Sequence, residues 1–294
     1  MSSTRKRFTD RPDGVKVRNL DIIHRLITHI APTRGGSEVY INEKIDVTEL
    51  LKYLEKKNKK REEKIHLFHA FNFAIAKTVY HRPLLNRFVV NRKFYDRNKI
   101  SLAFVAKVKK EDNADEALVV IDIDNNDKLE DISRKVQEHV SKARTNRNSS
   151  LDKLMDLVSK LPNFIIAFIV WLLNKLNNHG LMPKSIMEGD YNFASVLLTN
   201  LGSIKCNAIY HHLNEWGTNS VLVAIGTVHK EQIINEKGKP EIRDIVEFGV
   251  TLDERIADGF YFAKSINLLK YILANPTILD NEIMEGIEYE NKKD

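Results

Sequence analysis

Seven residues near the C-terminus, Asp253-Glu254-Arg255-Ile256-Ala257-Asp258-Gly259, place three carboxylates and one guanidinium ahead of an apolar helical stretch. Carboxylates crowded in this way can do two kinds of work. A desolvated one has its pKa lifted from about 4.3 toward 6 or 7 and serves as a general base; one that meets a guanidinium stays ionised and becomes a structural ion pair. Glu254 is the candidate for the first role, and pairing with Arg255 or another arginine would commit it to the second. Asp258 is of the type that caps a helix, and Gly259 allows close backbone approach at its start.

Two further segments carry chemistry. Leu198-Thr199-Asn200-Leu201-Gly202 closes an apolar run. The Thr199 hydroxyl can donate to an oxyanion or be satisfied by backbone, and Asn200 and Gly202 suit the turn after a strand. Tyr210-His211-His212, with Trp216 close behind, offers imidazole, whose pKa of about 6.5 suits proton abstraction. Adjacent side chains diverge, so only one of His211 and His212 enters a given pocket as an alternative base. The run His211-His212-Leu213-Asn214-Glu215 lacks metal-ligand spacing, and Cys206 is the sole cysteine, which excludes an intrachain disulfide and a Cys-rich zinc site. No metal is expected. Glycine-rich nucleotide loops are also missing.

Four ordered segments carry a resemblance. Asp253 to Gly259 resembles the acyl-transfer motif D-H-R-x-x-D-G with Glu254 in the place of histidine. His81-Arg82-Pro83-Leu84-Leu85-Asn86 is similar to H-P-x-L-N with one residue inserted, and it precedes the strand-like Ile100–Val105. Leu198–Gly202 resembles [S/T]-x-S-N-L-G, and Ser220–Gly226 follows as a hydrophobic strand. Together they resemble the acyltransferase (E2) catalytic domain of 2-oxoacid dehydrogenase complexes and, more distantly, chloramphenicol acetyltransferase.

The resemblance implies an α/β fold, a chloramphenicol acetyltransferase-like two-layer sandwich of mixed sheet and covering helices. It also implies a homotrimer with active sites between neighbouring subunits, and coenzyme A or acyl-CoA as substrate. In the family the motif histidine takes the proton of a thiol, a hydroxyl at Thr199 bonds the oxyanion, and the aspartate at Asp258 is held by an arginine. Arg25 is the first candidate for that arginine and Arg18 the second. With Glu254 in place of histidine, the expectation is a stand-alone E2-like protein without standard histidine-based activity. The alternatives are an acyltransferase using Glu254 as base and a non-catalytic trimeric binding or assembly protein. No lipoyl-type segment precedes the first family-like helix, so no covalent lipoyl group is expected.

The elements that must position these residues follow from patterning. Apolar spacing predicts helices over 19–31, 65–79 and 129–142, another around Leu50–Leu54, and one from Leu151 capped by Ser150. The last helix begins at Gly259. Strands are expected at Val39–Asp46, Arg87–Val90, Lys93–Tyr95, Ile100–Lys107, Ala117–Asp122, Phe193–Leu198, Val221–Val228 and Ile245–Leu252, with a turn at Asp96-Arg97-Asn98. Such alternation argues for one α/β domain over 15–294 with a helical elaboration near 141–190, preceded by a basic arm, residues 1–14.

With 294 residues and 43% hydrophobic content the chain supplies a sizeable core. Its net charge of +6 comes from 46 basic and 40 acidic residues intermixed, which suits an anionic ligand better than nucleic acid. Phe164–Leu173 is ten apolar residues, short of the roughly 20 that span a bilayer. A buried or interface helix is the expectation there, with peripheral membrane contact the lesser alternative. A single cysteine and no apolar leader point to a cytoplasmic location.

Overall fold

The computed structural model describes residues 10–107, 116–145, 160–235 and 237–289. Its strands are β1 (Gly14–Lys16), β2 (Glu38–Asp46), β3 (Arg87–Val90), β4 (Lys93–Arg97), β5 (Ile100–Lys107), β6 (Glu116–Ile123), β7 (Val196–Asn200), β8 (Val221–Ile225), β9 (His229–Ile234) and β10 (Pro240–Asp253). The main helices are α1 (Ile22–Ile30), α2 (Thr48–Asn58), α3 (Leu67–His81), α4 (Leu129–Thr145), α5 (Asn163–Asn178) and, after a single helical turn at Lys184–Met187, α6 (Gly259–Ala274). The main sheet runs β2-β10-β8-β7-β5-β6, with β9 hairpinned onto the first half of β10, and a small sheet is ordered β1-β4-β3. β5, β7 and β8 are mutually parallel where they pair and the other pairs are antiparallel, so the sheet is mixed as expected.

One face of the sheet is covered by α2, α6, α3 and α4 packed side by side. α3 is the buried centre of that layer: Phe71 meets Phe248 of β10 edge-on at 5.1 Å, and Phe68 meets Phe104 of β5 at 5.2 Å. Its buried Lys77 is satisfied by chain carbonyls, donating to Glu285 O at 2.9 Å and to Glu282 O, which ties α3 to the C-terminal segment. The result is the two-layer α/β sandwich anticipated from the motifs.

Several local expectations change. Asp96 and Arg97 belong to β4 rather than to a turn, because Gly14 of β1 pairs with Arg97 and the buried guanidinium donates to Phe193 O (2.7 Å) and Thr218 O. The bend between β4 and β5 is therefore shortened to Asn98 and Lys99, while β3 turns into β4 at Asn91 and Arg92, both at positive φ. β1 and β9 join sheets where no strand was expected. The helix expected from Leu151 and its Ser150 cap lie outside the described residues, as do residues 1–9. Arg11 is buried, with its guanidinium on Asp13 (2.8 Å) and Asn177 Oδ1 (2.8 Å), so it pins the end of α5.

Candidate functional site

β10 ends at Asp253, and a 3-10 turn, Glu254–Ile256, reverses the chain into α6. That turn folds Arg255 back over Asp253: Nε and Nη2 reach the two carboxylate oxygens at 2.8 and 2.7 Å, with 3% and 0% of the side chains exposed. Arg255 Nη1 continues to the carbonyls of Ala31 (3.2 Å) and Pro32 (3.1 Å), so the pair also fastens the exit of α1. The two-pronged contact engages both carboxylate oxygens and buries both side chains, and the role of the pair is structural. Glu254 is left exposed, and among the described residues it makes no ion pair.

Asp258 caps α6 as expected, accepting from Tyr261 N at 2.7 Å. The expected arginine partner is corrected. Arg25 is exposed and forms no ion pair with Asp258 among the described residues, and Arg18 is engaged by Asp10 at 2.9 Å. The buried arginine–aspartate pair of this turn is Arg255 with Asp253, two residues apart, because the tight turn brings the arginine onto the strand end.

The loop carrying His211 and His212 lies at this same end of the sheet. Glu38 opens β2 directly opposite Asp253, so their side chains share one face. The Glu38 carboxylate, 2% exposed, accepts Leu213 N–H at 2.6 Å, the Tyr40 hydroxyl, and Nδ1 of His212 at 2.9 Å, while the His212 ring itself is 85% exposed. Burial raises the pKa of Glu38, but hydrogen bonds from Tyr40, His212 and Leu213 outweigh it and hold the carboxyl below its ordinary range. An ionised carboxylate on Nδ1 selects the tautomer whose Nε2 carries a free lone pair. His211, half-buried, has its Nε2 buried without a partner.

Two glycines let this loop cross the sheet. A Cβ on Gly249 of β10 would stand 2.5 Å from Ile209 O, and one on Gly226 would stand 2.6 Å from Ala208 N. The far end of the loop is held by Arg34, whose guanidinium donates to Gly217 O at 3.2 Å and to Asn214 O, and by Glu215, which accepts Gly35 N–H at 2.8 Å. Burial lowers the Arg34 pKa, opposed by Asp253. Arg34, Arg92, Arg255, Asn174, Asn177 and Glu215 line a polar cavity of about 390 Å3 beside the motif turn.

Thr199 is elsewhere. It pairs with Ala224, which pairs with Gly249, four residues before Asp253 along β10. Four residues of about 3.3 Å and two strand spacings of about 4.8 Å put Thr199 roughly 16 Å from Asp253. β7 and β10 run in opposite directions, so Thr199 and Asn200 approach the other end of the sheet. Gly202 sits there too, in close backbone approach, since a Cβ would be 2.6 Å from Gly226 O. A single chain therefore gathers Glu254, Asp258 and His212 at one end and keeps Thr199 at the other. Glu38 and Tyr40 were missed from sequence. They sit on a polar edge strand, and His212 is 174 positions from Glu38.

Residues 33–153 and 173–279 match the model of the 2-oxoacid dehydrogenases acyltransferase (catalytic domain) family. The chain belongs to that family. Its segment 154–172 has no counterpart in the family match. Among solved structures, a probable dihydrolipoamide acetyltransferase of Listeria monocytogenes 4b F2365 is 15% identical, with 89% of this chain and 95% of that one covered at a TM-score of 0.59. The dihydrolipoamide acetyltransferase of Azotobacter vinelandii, in which a serine, a histidine and an asparagine were studied for roles in catalysis, is 15% identical over 90% and 93% at 0.59. A chloramphenicol acetyltransferase is 12% identical over 88% and 100% at 0.51. At these identities the likeness establishes the shared fold. A comparison with curated protein sequences gave no match.

Proposed function

We propose that this protein is a CoA-dependent acyltransferase working as a homotrimer, in which His212 rather than the motif residue accepts the proton. The observation that carries this reading is the exposed imidazole held through Nδ1 by the buried Glu38 carboxylate beside the Glu254 turn. In the Azotobacter protein the studied histidine and asparagine are four positions apart, as Glu254 and Asp258 are here, so this turn is the expected place of the chemistry. Nε2 of His212 would take the proton of an incoming thiol or hydroxyl, whose sulfur or oxygen attacks the thioester carbonyl. The oxyanion would meet the Thr199 hydroxyl of a neighbouring subunit, because one chain cannot bring the two together. Collapse breaks the C–S bond, and the imidazolium returns its proton to the CoA thiolate. The arginine-lined cavity next to Arg255 offers an anionic ligand such as CoA a favourable field.

The trimer is supported by the exposed Ile22, Ile23, Leu26 and Ile30 of α1, an apolar face next to the Arg255 turn. Standard acetyl transfer to dihydrolipoamide or chloramphenicol is expected to be slow or absent.

The test is thiol release from a series of acyl-CoAs by the natural protein and by His212→Asn, Glu38→Gln and Glu254→Gln. His212→Asn is expected to lower kcat by about 10²–10⁴-fold, with Glu254→Gln close to the natural protein. Turnover lost in Glu254→Gln but kept in His212→Asn would make Glu254 the base. No turnover, together with no calorimetric CoA binding at millimolar ligand, would leave a non-catalytic assembly protein.

A further inference from the structure

α5 is the least accounted-for element of the molecule. Phe164 and Trp171 are 75% and 54% exposed, and Phe168, Val170 and Leu172 are exposed beside them, so of the expected roles burial within the chain is corrected and an interface or peripheral membrane contact is left. The helix is fastened to the body at its C-terminal half, where Leu173 packs against Met182, Met187 and Phe193, and Arg11 holds Asn177. Phe164, Phe168, Trp171 and Lys175 recur at helical spacing on one stripe. Phe168 stacks on Trp171 at 5.8 Å, and the Lys175 ammonium lies 5.9 Å from the Trp171 ring.

The family match does not account for this face. The family match skips 154–172, which contains the whole outward apolar stripe as far as Leu172, whereas the apolar face of α1 already serves an assembly contact in the reading above. Charge then separates the candidate occupants. From Leu157 to Met187 the sequence has no Asp or Glu, while Lys160, Lys175 and Lys184 are all exposed. A solvated protein contact in a chain with 40 acidic residues would ordinarily mix both signs at its rim. An aromatic-aliphatic stripe whose own segment carries lysines and no carboxylate matches the boundary of an anionic bilayer, where rings sit at headgroup level and ammonium groups meet lipid phosphates. The helix is 16 residues, about 24 Å, shorter than the hydrocarbon thickness of about 30 Å, and no helix among the described residues is long and apolar enough to cross a membrane.

We propose that α5 is a membrane-surface anchor that lies in the plane of an anionic lipid leaflet and holds the acyltransferase body against it. The experiment is sedimentation of the full chain with phosphatidylcholine vesicles and with vesicles to which phosphatidylglycerol has been added. Binding is expected mainly to the anionic vesicles, with a blue shift of tryptophan fluorescence that is missing from Trp171→Phe. Phe168→Ser/Trp171→Ser should weaken vesicle binding by about tenfold or more while leaving the melting curve and the oligomeric mass unchanged. Equal failure of the natural protein to bind either vesicle overturns the proposal. A drop in oligomeric mass in the double variant also overturns it, by showing that a second copy covers the face. The outcome is independent of which residue acts as base, because vesicle binding is read without turnover.

Discussion

Arg255 had two carboxylates within reach in the sequence, Asp253 and Glu254, and the structure gives it to Asp253. The choice is energetic. Asp253 is the last residue of a buried strand and would carry an uncompensated charge, whereas Glu254 projects into water. Removing either member of a buried pair strands the other, so Asp253→Asn is expected to cost about 3–5 kcal/mol of stability. Asp258→Ala, which removes an exposed cap, should cost about 0.5–2 kcal/mol. Urea unfolding of both variants measures the two losses, and equal losses would contradict the assignment of the ion pair. The motif was legible as a motif, since its aspartate, arginine and terminal D-G stand at fixed spacing. Its internal pairing was not, because spacing alone cannot say how tightly a turn folds Arg255 back.

Strands and helices with strong periodicity were readable along most of the chain, and the failures share a cause. β9 alternates half-buried with exposed residues in the polar run His229–Ile234, so it carries little apolar signal. Asp96-Arg97-Asn98 has the composition of a turn, yet Arg97 is drawn into β4 by the Phe193 and Thr218 carbonyls and by the Phe88 ring at 4.6 Å. Tertiary partners override local preference in both cases. The site loop shows the same dependence, since His212 reaches Glu38 only because residues 206–210 pass over β8 and β10 where side chains are missing. Gly249→Ala is therefore expected to push the chain at Ile209 outward and to lower acyl-transfer kcat, through displacement of His212. The check is kcat set beside the melting temperature: Gly249→Ala with full activity would show that the loop position does not control the base. Gly259→Ala, with open space around its Cβ, is the matched control.

At the scale of the molecule, sheet topology decides what one chain can do. β7 and β10 run oppositely, so Thr199 and the His212–Glu38 pair sit at different ends, and under the proposed mechanism only association would close the oxyanion donor onto the base. The proposed cyclic trimer would supply this, each subunit offering one end of its sheet to the next and receiving the other in return. The arrangement makes a prediction that no single-subunit site shares. Thr199→Ala and His212→Asn should each abolish most turnover when expressed alone. Co-expressed at equal levels, they are expected to form mixed trimers in which a site with an intact Thr199 and an intact His212 arises wherever a His212→Asn subunit presents its threonine to a Thr199→Ala neighbour. Random mixing gives about one intact site in four, so roughly a quarter of the natural rate should return. Recovery confined to the co-expressed sample, with light scattering at the mass of a trimer, is the expected result. Activity that stays at the level of the separate variants would mean that the two residues do not meet across an interface.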